Sequence, residues 1–307
     1  MRRSTGLSEF LGGDVWLKLE CTQVTGSFKI RGATNVLASL DASARAKGVV
    51  TASSGNHGLG IATAARELGV AATVYLPRTA PAVKRDRIAA LGATVDASAA
   101  NYDAAESLAK ADAARGNGAF VSPCTGATLL AGQGTVALEI LDALPTLRTI
   151  VVPVGGSGLV SGIAGLLRAE APGVRIIGAQ SDRTNAMALA LAAGRPTDTA
   201  DRETLADGLS GRVDATIFAQ GREAIDAMVV ASEEDLADAI AFLWMEEGVK
   251  VEGAGAAGVA ALLAGKLDGM EFPIAIVISG GNIDEAKHQA VLDATYHTEV
   301  GDVDFLA

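Results

Sequence analysis

The sequence predicts an α/β protein of parallel sheets covered by helices on both faces, and three observations predict it. Short apolar runs alternate with helical patterns along the chain, four of those runs or their flanks carry glycine- and hydroxyl-rich turns, and no stretch is apolar for long enough to span a bilayer. Strands are expected near Val15, Val49, Val74, Val95, Phe120, Val151, Ile176, Val229 and Ile276. Helical patterns fill most gaps, as in Ala80 to Leu91, Tyr102 to Arg115 and Glu233 to Glu247. No internal repeat, low-complexity stretch or coiled coil is evident.

Four motifs carry chemistry, in chain order. The first is Thr25-Gly26-Ser27-Phe28-Lys29-Ile30-Arg31-Gly32, which sets one lysine between an aromatic ring and a glycine-punctuated turn. A lone lysine there is most often a solvated charge, so its company decides the matter. The second, Ser53-Ser54-Gly55-Asn56-His57-Gly58, follows the apolar run Gly48 to Thr51 and opens a helix through Ala65. Ser54 or Asn56 could cap that helix, and the free N–H groups of a helix start also hold anions. His57 reads as a helix-start residue rather than an acid–base catalyst.

The third motif, Val151 to Leu159, runs a buried-type strand into Gly155-Gly156-Ser157-Gly158 and then a helix ending near Glu170. A dinucleotide fingerprint is the competing reading. It fails on spacing, because Gly156-x-Gly158-x-x meets Ser161, and the next strand ends at Gln180 where a ribose-binding acid is required. The fourth is the strand Ile274 to Ile278, ending in Ser279-Gly280-Gly281-Asn282.

Taken in this order, the motifs resemble the fold type II pyridoxal-phosphate enzymes, which are tryptophan synthase β-like. Within them the likeness is to the serine/threonine dehydratase (threonine ammonia-lyase) and serine racemase branch, over nearly the whole chain. The resemblance implies a large domain from residues 1–30 plus 132–307, a smaller inserted domain at 31–131, and pyridoxal 5'-phosphate in the cleft between them. Lys29 would attach covalently to the cofactor aldehyde beside Phe28 and then serve as base toward the substrate Cα proton, a task that burial of the amine favours. Asn56 would hydrogen-bond the phenolic oxygen of the cofactor ring. The loop Ser53, Ser54, Gly55, Asn56 and His57 would receive the substrate carboxylate.

On the same resemblance, Gly155, Gly156, Ser157, Gly158 and Leu159 would wrap the phosphate, each charge-assisted bond contributing about 1.5–3 kcal/mol. Glycine usually stands where this chain has Ser157. Ser279 would face the pyridine nitrogen. A neutral hydroxyl there makes a weaker electron sink than a carboxylate partner would, which favours loss of a β-substituent. The implied reaction converts a β-hydroxy-α-amino acid to a 2-oxo acid and ammonia. Ile30 after the lysine separates the chain from the synthases, which usually carry aspartate there.

Alternatives stay open. Ser54 would permit racemisation by moving a proton on the face opposite Lys29. The run Thr204 to Leu209 resembles dehydratases of hydroxyectoine breakdown, and a non-catalytic small-molecule binder is the reading from another class. No metal is expected, since Gln180 stands where relatives that hold a divalent cation carry glutamate. Glu252 reads equally as a sensor of the substrate's β-hydroxyl side or as a cap on the helix after it, and Gly253 stands where proline is usual. The resemblance also leads one to expect a helix ahead of Arg2, and no regulatory domain after Ala307.

A net charge of −11 argues against nucleic acid. With only Cys21 and Cys124 and no signal pattern at Met1-Arg2-Arg3, a reduced, cytoplasmic setting is expected. The expected partner is a small amino acid substrate, in a homodimer or homotetramer and away from membranes.

Overall fold

The computed structural model describes residues 1–53, 55–200 and 202–299. In chain order these form β1 (Arg2–Arg3), α1 (Thr5–Leu11), β2 (Val15–Leu19), α2 (Lys29–Ala38), α3 (Ala42–Lys47), β3 (Val49–Ala52), α4 (Asn56–Leu68) and β4 (Ala72–Pro77). There follow α5 (Ala82–Ala90), β5 (Thr94–Ala99), α6 (Tyr102–Ala114), β6 (Ala119–Phe120), α7 (Ala127–Ala143), β7 (Thr149–Pro153), α8 (Gly158–Glu170) and β8 (Arg175–Ser181). The remainder is α9 (Ala186–Ala193), α10 (Ala215–Ala224), β9 (Ala227–Ala231), α11 (Glu233–Met245), α12 (Gly253–Leu263), β10 (Ile274–Ile278) and α13 (Glu285–Glu299). Every predicted strand is present, and β1 is the addition.

Two compact units result: a larger one from Met1–Thr22 with the residues from Gly134 onward, and a smaller one, Gln23–Gln133. The larger unit holds a six-stranded sheet ordered β1-β2-β10-β7-β8-β9, parallel except for the edge pair β1 and β2. Strands β7 and β10 are buried at every residue, as strands covered on both faces must be. Helix α12 is almost wholly buried, and its small residues let it lie close on this sheet. A Cβ added to Gly258 would stand 2.7 Å from Cγ2 of Ile276 and 3.2 Å from Cγ1 of Val151.

The smaller unit has a four-stranded parallel sheet, β5-β4-β3-β6, with its own core around Val49, Val74, Ile61 and Ile88. Its winding repeats that of the larger sheet. From β3 the chain steps outward to β4 and β5, then returns to lay β6 on the other side of β3; from β7 it steps to β8 and β9, then returns to lay β10 beyond β7. The ends of β3 and β6, and of β7 and β10, are therefore the places where connections diverge, and open α/β sheets hold ligands beyond strand ends of this kind.

Candidate active site

In the smaller unit the loop from Ser53 follows β3, and Lys29 begins α2. The half-buried Lys29 lies with its Nζ 5.1 Å from the centroid of the Phe28 ring and donates to the carbonyl of Pro123, just beyond β6, at 2.9 Å. Among the described residues no carboxylate pairs with it. Lysine and loop thus meet the sheet at its divergence point.

Two glycines of α4 bring these parts together. A Cβ on Gly58 would stand 2.6 Å from the Ser53 carbonyl, and one on Gly60 would stand 3.2 Å from the Lys29 carbonyl carbon and oxygen. Helix α4 therefore rests against the loop at one glycine and against the start of α2 at the other. The helix cap is Gly55, which offers no side chain, while Ser53 Oγ accepts from the Gly55 N–H at 3.2 Å. Asn56 is the first helical residue. Ser54 lies outside the described residues.

His57 turns away into the sheet. Its ring is 3% exposed, and Nε2 lies 3.0 Å from Thr51 Oγ1 and 3.3 Å from the Val121 carbonyl. Thr51 donates its own hydroxyl proton to Val121 at 2.8 Å, so its oxygen receives an Nε2–H, which assigns the tautomer. Burial, with the charge of Lys29 adding to it, pushes the imidazole down to about 3. His57 is a neutral anchor for the start of α4, and only its backbone belongs to the loop.

In the larger unit, Gly155-Gly156-Ser157 links β7 to α8. Helices α3, α6, α10 and α11 begin at Asp41, Asn101, Asp214 and Ser232, whose side chains accept an N–H of the first turn. Helix α8 begins at Ser157, which makes no such bond, and its first turn holds no acid. Its N–H groups are thus left for an outside acceptor. Ser157 adopts φ 63°, the only non-glycine residue at positive φ among those described. Glycine takes this conformation without a Cβ clash, whereas other residues lose about 1–2 kcal/mol. Ser157→Gly is accordingly expected to leave the melting temperature unchanged or slightly raised, the relieved strain being partly offset by about 0.5–1 kcal/mol of extra backbone freedom.

Close glycine contacts tie this loop to Ser279. A Cβ on Gly155 would meet Leu209 Cα at 3.2 Å, one on Gly208 would meet the Ala254 Cβ at 3.0 Å, and one on Gly255 would meet the Gly280 carbonyl at 2.4 Å. The glycine loop, the turn Asp207–Leu209, the start of α12 and the end of β10 therefore form one layer of closely approached backbone. Ser279 is 4% exposed and directly follows β10, which pairs with β7. Glu252 occupies the cap position of α12 without a side-chain capping bond, and its N–H donates to the Gly280 carbonyl at 3.2 Å. A carboxylate cap is thereby excluded. Gly253 admits the Leu205 carbonyl, which would stand 2.4 Å from any Cβ, so a proline could not fit there in this backbone.

Sequence reasoning missed Pro123, the packing of the turn Asp207–Leu209 against the glycine loop, and the role of Gly60. It also missed Glu20, fully buried and paired at 2.9 Å with Lys18, whose strand β2 runs beside β10. The short run Lys18-Leu19-Glu20 at a strand end was the available signal. Gln180 spends both ends of its amide, donating to the Val154 carbonyl at 2.9 Å and accepting from the Ala188 N–H at 2.9 Å.

Each unit offers part of what a phosphorylated aldehyde requires: the smaller a primary amine with no carboxylate partner among the described residues, the larger an uncapped helix start and a loop that a Cβ would crowd. Residues 1–280 match the family described as pyridoxal-phosphate dependent enzyme. The chain belongs to this family. It is 44% identical over 282 residues to an L-threonine ammonia-lyase of Thermotoga maritima, covering 92% of this chain and 70% of that protein. A serine racemase of Oryza sativa is 35% identical, with coverage of 92% and 84%. Among solved structures, maize serine racemase superposes with a TM-score of 0.88 at 33% identity, over 96% of this chain and 92% of that one. The processed threonine deaminase isoform 2 of Solanum lycopersicum gives 0.89 at 31% identity, over 97% and 83%. The family member therefore falls in the threonine dehydratase and serine racemase branch, with pyridoxal phosphate as its cofactor. Among the described residues no helix is long and apolar enough to cross a membrane.

Proposed function

We propose that this protein is a pyridoxal-phosphate dependent ammonia-lyase that removes the β-hydroxyl of a serine- or threonine-like amino acid, giving a 2-oxo acid and ammonia. The observation that carries the reading is Lys29, an amine with no carboxylate partner among the described residues, set beside the uncapped start of α4 at the divergence point of its sheet. Likeness to the threonine ammonia-lyase supports the reaction class. Lys29 would hold the cofactor, the Gly155–Leu159 N–H groups would hold its phosphate, Asn56 its ring oxygen, and Ser279 its ring nitrogen. When bound, the cofactor supplies the electron sink for charge left at the substrate Cα.

The protein's own groups do the rest. The N–H groups at the start of α4 fix the substrate carboxylate, and the amine of Lys29 takes the Cα proton. Phe28 covers one side of that amine and keeps water from it. Ser279 would offer the ring nitrogen a neutral hydroxyl where a carboxylate would hold a proton, a partner that would favour elimination. The protein is proposed to be cytoplasmic, in keeping with the free Cys21 and Cys124. It is further proposed to form homo-oligomers that cover exposed apolar side chains such as Phe10 and Trp244.

The test is 2-oxo acid release by the cofactor-loaded protein from L- and D-serine, threonine and 3-hydroxyaspartate, with chiral analysis of recovered substrate. Product from L-threonine or L-serine is expected. A racemase is the second reading, raised by the likeness to maize serine racemase. It predicts inverted substrate without 2-oxo acid, whereas silence toward the whole panel would redirect attention to a hydroxyectoine-derived substrate.

A further inference from the structure

The buried amide of Gln180 lies at the centre of a ring of contacts that closes on the glycine loop. Gln180 is 1% exposed and sits in β8, next to Ala179, whose carbonyl accepts the Val154 N–H at 2.9 Å. Its own Nε2 donates to the Val154 carbonyl, so successive residues of β8 fasten both polar groups of the residue that enters the loop. On the other side, Oε1 accepts from Ala188, in the first turn of α9, whose cap Asn185 makes no side-chain bond. Carbonyl and N–H fix which end of the amide faces which partner.

From α9 the path returns to the loop. Met187, fully buried, packs on α10 where a Cβ at Gly221 would stand 2.6 Å from its Sδ and Cε, and that same Cβ would stand 3.0 Å from Ser157 Oγ. Ser157 Oγ also lies 3.4 Å from the Ile217 carbonyl of α10. Entry and exit of the loop, Val154 and Ser157, are thus both held from Gln180, one directly and one through two helices.

We propose that Gln180 is a positioning residue for the glycine loop, its amide bracing Val154 and α9 so that the loop's N–H groups stand ready for a phosphate. The inference rests on the reading that this loop holds the cofactor phosphate. Only a group with both a donor and an acceptor can make the brace. A methionine leaves the Val154 carbonyl and the Ala188 N–H unpaired in a dry site, and a glutamate sets oxygen against oxygen. Protonation of that glutamate restores a donor.

The experiment compares equilibrium binding of pyridoxal phosphate and of pyridoxal, which lacks the phosphate, to the cofactor-free full chain in the wild type, Gln180→Met and Gln180→Glu. The wild type is expected to prefer the phosphate ester strongly, and Gln180→Met to lower that preference about tenfold or more while binding of pyridoxal changes little. Gln180→Glu is expected to lose the preference while ionised and regain it, relative to wild type at each pH, as the pH falls through its buried pKa. Gln180→Met should show no such recovery. Equal weakening of both ligands in Gln180→Met without recovery in Gln180→Glu, or an unchanged preference in both variants, overturns the brace. A wild type with no preference for the phosphate ester instead overturns the reading of the loop itself.

Discussion

A Lys29→Ala enzyme is expected to release no measurable 2-oxo acid, with kcat lower by roughly ten-thousand-fold or more, while still folding and still taking up free pyridoxal phosphate reversibly. The loss follows from what else is available to move the Cα proton. His57, in the same unit, offers no substitute, because its imidazole is held neutral by burial with its Nε2 proton committed toward Thr51 and Val121. The fold should survive because, among the described residues, Lys29 makes one hydrogen bond, to the Pro123 carbonyl, and such a bond contributes about 1 kcal/mol. Thermal melting, a 2-oxo acid assay and dialysis of bound cofactor together check the claim. A variant that retains a hundredth of wild-type turnover, or retains cofactor through dialysis as the wild type does, would sink the assignment of Lys29.

Much of the architecture was legible because parallel strands advertise themselves. The run Ile274 to Ile278 is apolar at each position and is buried at each position. The two-residue β1 was not legible, since Arg2 and Arg3 join the sheet only by antiparallel pairing with Leu17 and Trp16. Nor could the repeated winding be read. It is a relation between strand orders, with no echo in the residues. For the proposed site, Ser53, Asn56, Gly155 and Ser279 could be singled out because each follows an apolar run, and strand ends of this kind are local signals.

Contacts made across the fold were hidden. Gln180 read as a missing carboxylate, whereas in the fold it is a donor and an acceptor at once, which depends on Val154 and Ala188 arriving on opposite sides. His57 read as a helix-start residue, and that is where it lies. What could not be read was that Thr51, six residues earlier, would draw its ring inward. Glycines inside helix patterns look merely weak until a neighbouring backbone is laid against them.

Gly58→Ala and Gly60→Ala turn that last point into a measurable contrast. Alanine gains about 1 kcal/mol of helix propensity at either position. At Gly58 the new Cβ would stand 2.6 Å from the Ser53 carbonyl and 3.0 Å from Cδ1 of Ile88, and the carbonyl is backbone, so the Ser53–Asn56 loop must shift. Overpacking of this kind costs about 1–3 kcal/mol, which exceeds the propensity gain, and the variant is expected to melt lower. Displacing the loop proposed to bind the substrate carboxylate should also cut kcat/KM roughly a hundredfold, mostly through KM.

At Gly60 the contacts to Lys29 and Ile30 are 3.2–3.3 Å, which a shift of a few tenths of an ångström relieves. The propensity gain then roughly balances the strain, and stability is expected to stay within about 1 kcal/mol of wild type. What moves is the start of α2, and with it the proposed base Lys29. The expected signature is therefore a severalfold drop in kcat at nearly constant KM. Melting curves and steady-state kinetics on L-threonine and L-serine separate the two variants. Identical kinetic losses in both would mean that α4 acts as one rigid body, and that neither glycine addresses its own part of the site.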